Sequence, residues 1–168
     1  KDLRLSTIPT AFGENIVARI LSADLAGVDL ATVGMSPDIQ ERFTKAIMRS
    51  SRVNLVTGPT GSGKTSTLYA ALQHLHDGTK NIITLEDPIE YRVPGINQMQ
   101  VNPKAGLTFA QGLRAILRQD PDVIMLGEVR DLQTAKFAFR LALTGRQVYT
   151  TTHVYSAVAI PQRLRDIG

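Results

Sequence analysis

The 168-residue chain contains no cysteine and no tryptophan. Missing thiols exclude disulfides and thiolate-ligated metal centres, and they fit a reducing compartment. Aromatic side chains are scarce, five Phe and four Tyr. Motors that grip single-stranded nucleic acid interleave stacking aromatics with basic residues, and no stretch here does so. No window approaches 18 consecutive apolar residues, so a membrane-spanning helix is not expected. The first residues, Lys1-Asp2-Leu3-Arg4, hold no apolar signal-peptide core. Internal repeats and low-complexity linkers are absent too. What is left is an ordinary globular composition, 43% hydrophobic and 20% charged, with a mild net charge of +4. That charge permits an acidic partner without demanding one. The length suits one α/β core, or one core plus a fragment.

Against this background stands Gly58-Pro59-Thr60-Gly61-Ser62-Gly63-Lys64-Thr65, which satisfies G-x-x-x-x-G-K-[ST]. Glycines let backbone N–H groups crowd toward an anion, because no Cβ intervenes. Lys64 supplies a point charge for the β- and γ-phosphates, and the Thr65 hydroxyl is placed for Mg²⁺. Ser66 continues the cradle into a helix whose positive dipole end favours phosphate. Context supports the match. Val53 to Val56 before the loop reads as a short buried strand. Leu68, Ala71, Leu72 and Leu75 after it fall on one helix face, with Gly78 as a stop.

Elsewhere, residues 3–8 and 16–21 both read as extended, separated by Pro9 and the stretch Ala11 to Asn15, which suggests a hairpin. A lone hairpin is marginal in water, so these strands are expected to belong to the sheet of a domain that precedes this chain. Residues 22–35 read as a connector. Ser36-Pro37 opens a helix with Ile39, Phe43, Ala46, Ile47 and Ser50 facing inward. Ile82 to Leu85 is a second buried strand, closing on Glu86-Asp87-Pro88. Residues 89–102 alternate and turn, suggesting a β-excursion off the main sheet. Thr108 to Gln111 is a capping box for a helix with Phe109, Leu113, Ile116 and Leu117 inward, stopped by Asp120-Pro121. Val123 to Leu126 is a third strand, followed by Gly127-Glu128 and a helix from about Leu132 to Leu143. Gln147 to Thr152 is a fourth, ending at His153. A last helix starts after Ser156, where Pro161 breaks it or marks its true start. Strands alternating with helices predict a mostly parallel α/β sheet with ligands beyond the strands' carboxyl ends. The loop at 58–65, Glu86, Glu128 and His153 all map to that edge.

Hydrolysis of a nucleoside triphosphate needs a phosphate clamp, Mg²⁺, a carboxylate to orient water, and positive charge for the transition state. Glu128, after four apolar residues and a glycine, is the natural water-orienting carboxylate. Glu86 is a second candidate at a neighbouring strand end, whereas a turn explains Asp87. His153 divides evenly between a core histidine and a nucleotide sensor. No spacing of His, Asp or Glu suggests zinc.

Taken together these residues resemble the secretion and type IV pilus ATPases, the GspE/PilB-like traffic ATPases. Residues 58–65 are similar to that family's Walker A motif. Ile83 to Tyr91 (Ile-Thr-Leu-Glu-Asp-Pro-Ile-Glu-Tyr) resembles its Asp box, Leu113 to Asp131 its Walker B region, and Thr144 to Ala157 its His box. The resemblance implies a RecA-like, Mg²⁺-dependent ATPase core of a cytoplasmic homo-hexamer at the inner membrane. That ring would act with a platform protein in pilus assembly or secretion, without binding nucleic acid directly. It implies a division into residues 1–24, the last strands of a smaller N-terminal domain, a linker at 25–35, and the RecA-like core at 36–168, with the family's C-terminal domain incomplete. By motif position, Arg4 and Arg19 match arginines that swing toward the phosphates. Arg114 and Arg118 match a second set near the nucleotide or the subunit boundary. Glu86 and Glu128 would join Thr65 around the metal, and His153 would sense the γ-phosphate. The run Leu117 to Asp122 leans toward the assembly and secretion branch. Two departures stand out: Arg146 replaces the first histidine of the His box, and Val154-Tyr155 follow His153 in place of the usual neighbours. Such divergence suggests a side branch, such as a plasmid-borne conjugative pilus system. The alternatives are a RecA-like nucleic-acid motor, or a nucleotide-binding subunit that does not hydrolyse.

Overall fold

The computed structural model describes residues 2–21 and 28–168. Strands β1 (Asp2–Thr10) and β2 (Gly13–Leu21) form an antiparallel hairpin, in register from Asp2 opposite Leu21 to Thr10 opposite Gly13. The Thr10 hydroxyl secures the two-residue turn, donating to Gly13 O at 2.7 Å and accepting from Phe12 N at 3.3 Å. The strands are longer than the sequence pattern predicts, and Pro9 lies inside β1 rather than between strands. A two-stranded ribbon leaves one edge of each strand unpaired, so a residue without an N–H is tolerated there. Among the described residues the hairpin shares no sheet with any other strand. The predicted boundary at residues 24–25 lies outside the described residues.

The main sheet has five parallel strands in the order β3-β7-β6-β4-β5. They are β3 (Arg52–Thr57), β4 (Ile82–Glu86), β5 (Asn97–Gln100), β6 (Val123–Leu126) and β7 (Gln147–Thr152). Among the described residues there are five α-helices: α1 (Pro37–Ile47), α2 (Lys64–Leu75), α3 (Phe109–Ile116), α4 (Leu132–Leu143) and α5 (Ile160–Ile167). Pro161 lies in the first turn of α5, so it marks the start of that helix.

The period-2 alternation of the strands makes two cores from one sheet. Val123 and Met125 of β6 and Tyr149 of β7 pack with Leu68, Leu72 and Leu75 of α2. Ile124, Leu126 and Val148 point the other way, packing with Leu113 and Ile116 of α3 and Leu141 of α4. Strands buried on both faces read as unbroken apolar runs, which is why β4 and β6 are legible in the sequence.

Further expectations are corrected. Within the stretch 89–102, residues 97–100 join the main sheet rather than leave it: β5 pairs in parallel with β4 and forms its edge. Its four residues, Asn-Gln-Met-Gln, lack the apolar run of a central strand, and an edge strand does not need one. The inner face of α1 is Phe43, Thr44 and Ile47, whereas Ile39, Ala46 and Ser50 are exposed. Helix α1 touches the core mainly through its last turn. Leu117 is also exposed, because α3 ends at Ile116 and tightens into a 3₁₀ turn, Leu117–Gln119, that rotates it outward. Part of the predicted connector is packed: Leu30 is buried, and Asp29 Oδ1 accepts from the backbone N–H groups of Ala31 and Thr32.

The capping box of α3 forms as predicted. Thr108 Oγ1 accepts from Gln111 N at 3.3 Å, and Gln111 Oε1 accepts from Thr108 N at 2.9 Å. Thr108→Ala is expected to cost about 1 kcal/mol. The check is a lower urea midpoint with an unchanged slope.

Candidate functional site

The turn between β3 and α2 builds the cradle. Gly63 caps α2 with φ +85°, a left-handed conformation that favours glycine. A Cβ on Gly58 would stand 2.5 Å from Ser62 Oγ, so the Ser62 side chain would have to shift to admit one. Ser62 Oγ donates to Pro59 O at 2.9 Å. Lys64 Nζ reaches back to Gly58 O at 3.0 Å and Pro59 O at 2.8 Å. Its ammonium therefore lies over the loop, at the lining of the cleft.

The opposite wall comes from the ends of β4, β6 and β7. Gly127 N donates to Leu85 O at 2.8 Å, Val129 N to Thr151 O at 2.9 Å, and Thr151 Oγ1 to Gly127 O at 2.7 Å. These bonds fix the backbone on both sides of Glu128. Its Oε2 lies 3.2 Å from His153 Nε2, and its Oε1 accepts from the Arg130 guanidinium. The bond to Glu128 holds the Arg130 guanidinium above its ordinary pKa. Glu128 is thus a partly covered carboxylate between the Arg130 guanidinium and the His153 imidazole at the rim of the cleft.

Glu86 is 3% exposed at the end of β4. Its Oε2 accepts from Tyr69 Oη, and its Oε1 from Thr84 Oγ1 at 2.5 Å and Gln98 Nε2 at 3.2 Å. Burial pushes the carboxyl up in pKa, and these donors oppose that shift. Burial, followed by the neighbouring Glu86 charge, raises the Tyr69 hydroxyl, which therefore stays a donor.

A cleft of about 670 Å³ joins the two walls. Thr60, Gly61, Gly63, Lys64, Thr65, Ser66, Glu86, Glu128 and His153 all line it. Gly58, Pro59 and Ser62 shape the loop from behind. The Asp87–Pro88 peptide is cis, and both residues also line the cleft. Arg114 and Arg118 do not; both are exposed, and Arg118 Nη1 donates to Arg114 O at 3.3 Å. Arg4 and Arg19 stand opposite each other in the hairpin register, and their side chains lie outside the described part of the structure. Arg146 lies at the other end of β7 from His153. It donates to Thr144 Oγ1 at 2.9 Å and to Asp120 Oδ1 at 3.0 Å, tying two loops together away from the cleft.

Sequence reasoning passed over Arg130 and the donors around Glu86. Arg130 could have been found, since it follows Glu128 by two residues in a loop at the ligand edge. Tyr69 could not, because a tyrosine among the apolar residues of a helix face reads as core.

The donor chemistry of the cleft suits Mg²⁺. Among the described residues no cluster of three or more His, Cys, Asp or Glu could hold a metal alone. The hard oxygens of Thr65, Glu86 and Glu128 fit a cation shared with phosphate oxygens and water, as Mg²⁺ prefers. Among the described residues no helix is long and apolar enough to cross a membrane.

The chain has well-matched relatives among known proteins. The family described as Type II/IV secretion system protein matches residues 1–168. Type II secretion system ATPase E of Vibrio cholerae is 52% identical over 99% of this chain, which covers 33% of that protein. Type II secretion system protein HxcR of Pseudomonas aeruginosa is also 52% identical over 99% of the chain, which covers 36% of it. The chain thus spans about a third of the length of these relatives. Among solved structures, the pilus retraction motor PilT with bound ADP matches with TM-score 0.82 and 35% identity, over 99% of this chain and 48% of that one. The Legionella pneumophila ATPase DotB matches with TM-score 0.79 and 28% identity, over 99% of this chain and 46% of that one. The sheet is therefore the RecA-like core that the resemblance implied. Over its whole described length, the chain belongs to the type II/IV secretion system protein family.

Proposed function

We propose that this chain is the ATP-hydrolysing core of a hexameric motor that powers secretion or the assembly of pilus-like filaments. One observation carries the reading: the phosphate loop and the Glu128–His153 pair face each other across a single cleft. In this reading the loop N–H groups and Lys64 bind the triphosphate, and Thr65 holds Mg²⁺ with Glu86 and Glu128 near its shell. The bound metal would neutralise charge that develops on the phosphate oxygens. Glu128 orients the attacking water, and His153, within reach of the same carboxylate, senses the γ-phosphate. Arg4 and Arg19 close over the phosphates from the hairpin, residues 1–24 being the last strands of a smaller preceding domain. Residues 25–35 join that domain to the core. Arg114 and Arg118, exposed and away from the cleft, serve the boundary with the next subunit.

The motor works on the cytoplasmic side of the inner membrane against a platform protein. The 52% identity to the Vibrio cholerae secretion ATPase, against 35% to the pilus retraction motor, supports the assembly and secretion branch. Catalysis completed between subunits makes specific activity depend on concentration. Mg²⁺-dependent phosphate release from ATP is expected to rise per mole of chain as the protein is concentrated. Turnover independent of concentration would overturn the ring.

A further inference from the structure

We propose that Tyr69 is a positioning residue for Glu86, its hydroxyl fixing the carboxylate where a phosphate-bound Mg²⁺ requires it. The inference deepens the reading above and rests on it. Tyr69 lies on α2, five residues after Lys64, and its side chain is fully buried. A tyrosine used only as core filling has no need of its hydroxyl, and a buried hydroxyl is costly unless it is bonded. Here it bonds Glu86 Oε2.

Neighbouring contacts leave the hydroxyl little freedom. The ring stands edge-on to Tyr91, with centroids 4.4 Å apart and planes at 81°. Gln98 holds the other oxygen of Glu86, and its own amide is oriented at both ends. Nε2 also donates to Tyr91 O at 3.1 Å, and Oε1 accepts from Val93 N at 2.6 Å. Thr84 adds a second donor to Oε1. A carboxylate has about four acceptor positions. Thr84 and Gln98 fill those of Oε1, and Tyr69 takes one of Oε2, so one position on Oε2 remains for the cleft. The hydroxyl decides which way that position points. It also links the helix that carries Lys64 and Thr65 directly to the carboxylate across the cleft. Partners of metal-site carboxylates act in this way, by holding a ligand's orientation.

The test compares Tyr69→Phe, Glu86→Gln and the double variant in the full-length protein. The probe is Mn²⁺ binding in the presence of ADP, followed by electron paramagnetic resonance, alongside steady-state ATP turnover. Tyr69→Phe is expected to weaken Mn²⁺ binding about tenfold and to lower kcat comparably. Metal-free ADP affinity and KM for ATP should hold, because Lys64 and the loop are untouched. The double variant should be no worse than Glu86→Gln alone. Undiminished Mn²⁺ affinity in Tyr69→Phe, or losses that add in the double variant, would overturn the proposal. Glu86→Gln with parental Mn²⁺ affinity and turnover would instead overturn the placement of Glu86 near the metal. Tyr69→Phe removes one oxygen and keeps the ring packing. If it nevertheless melts below the assay temperature, Gln98→Met loosens the same carboxylate from the strand side. A smaller loss of Mn²⁺ affinity supports the proposal there, and no loss overturns it.

Discussion

Lys64→Ala is expected to lower ATP turnover by about 10²–10³-fold, with nucleotide binding weakened alongside it. The ammonium is the only side-chain cation that the described part of the loop itself sends into the cleft, and it stands beside the carbonyls of Gly58 and Pro59. Binding and transition state would both lose by its removal, because the phosphate carries its charge in each. The alanine variant also loses two bonds that hold the loop's shape. Lys64→Arg separates the effects, since it keeps the charge but puts a planar, larger group into a site built for a point charge. Fluorescent-nucleotide titration together with phosphate release reads both quantities. Parental turnover in Lys64→Ala would remove the site from this cleft.

The second large effect is expected at Glu128. Glu128→Gln keeps the size and two polar atoms of the side chain but removes the charge that could orient and activate water. Turnover is expected to fall by about 10²–10⁴-fold. Nucleotide affinity should change by less than about threefold, the signature of an interaction made mainly in the transition state. The geometry adds a consequence for Arg130. In the parent its guanidinium is engaged by Glu128 Oε1, and the amide would hold it far less strongly. A small gain in phosphate affinity in Glu128→Gln would therefore mark Arg130 as the cation released. Unchanged turnover in Glu128→Gln would mean that another group orients the water.

How much of this could be read without coordinates depends on which residues carried the signal. The loop at 58–65 and the apolar runs 82–85 and 123–126 each announce one local structure, and the parallel sheet follows from their order. The positions of Glu86, Glu128 and His153 at one edge follow in turn, because parallel strands deliver their ends to the same side. Strand β5 escaped this logic. Its residues are polar, and only its pairing with β4 makes them a strand. The face of α1 escaped for a related reason. Periodicity names the apolar side of a helix, but here only its C-terminal half, from Phe43 to Ile47, reaches the core. The donors around Glu86 were least legible, since they depend on contacts between residues that are up to 29 positions apart. Spacing along the chain contains no trace of them.

Among the described residues, the strand that delivers the phosphate loop lies at the rim of its sheet. Strand β3 is hydrogen-bonded to β7 on one side, and no described strand takes its other side. Rim strands open before central ones, so the amides of β3 facing outward exchange with solvent more readily than those of β6 and β7. The loop is thus suspended from one of the less firmly held parts of the sheet. A nucleotide bound there would also still the strand beneath, and part of its intrinsic binding energy would go into that ordering. Whatever pairs with the outer flank of β3 would do the stilling beforehand and raise nucleotide affinity without touching the nucleotide.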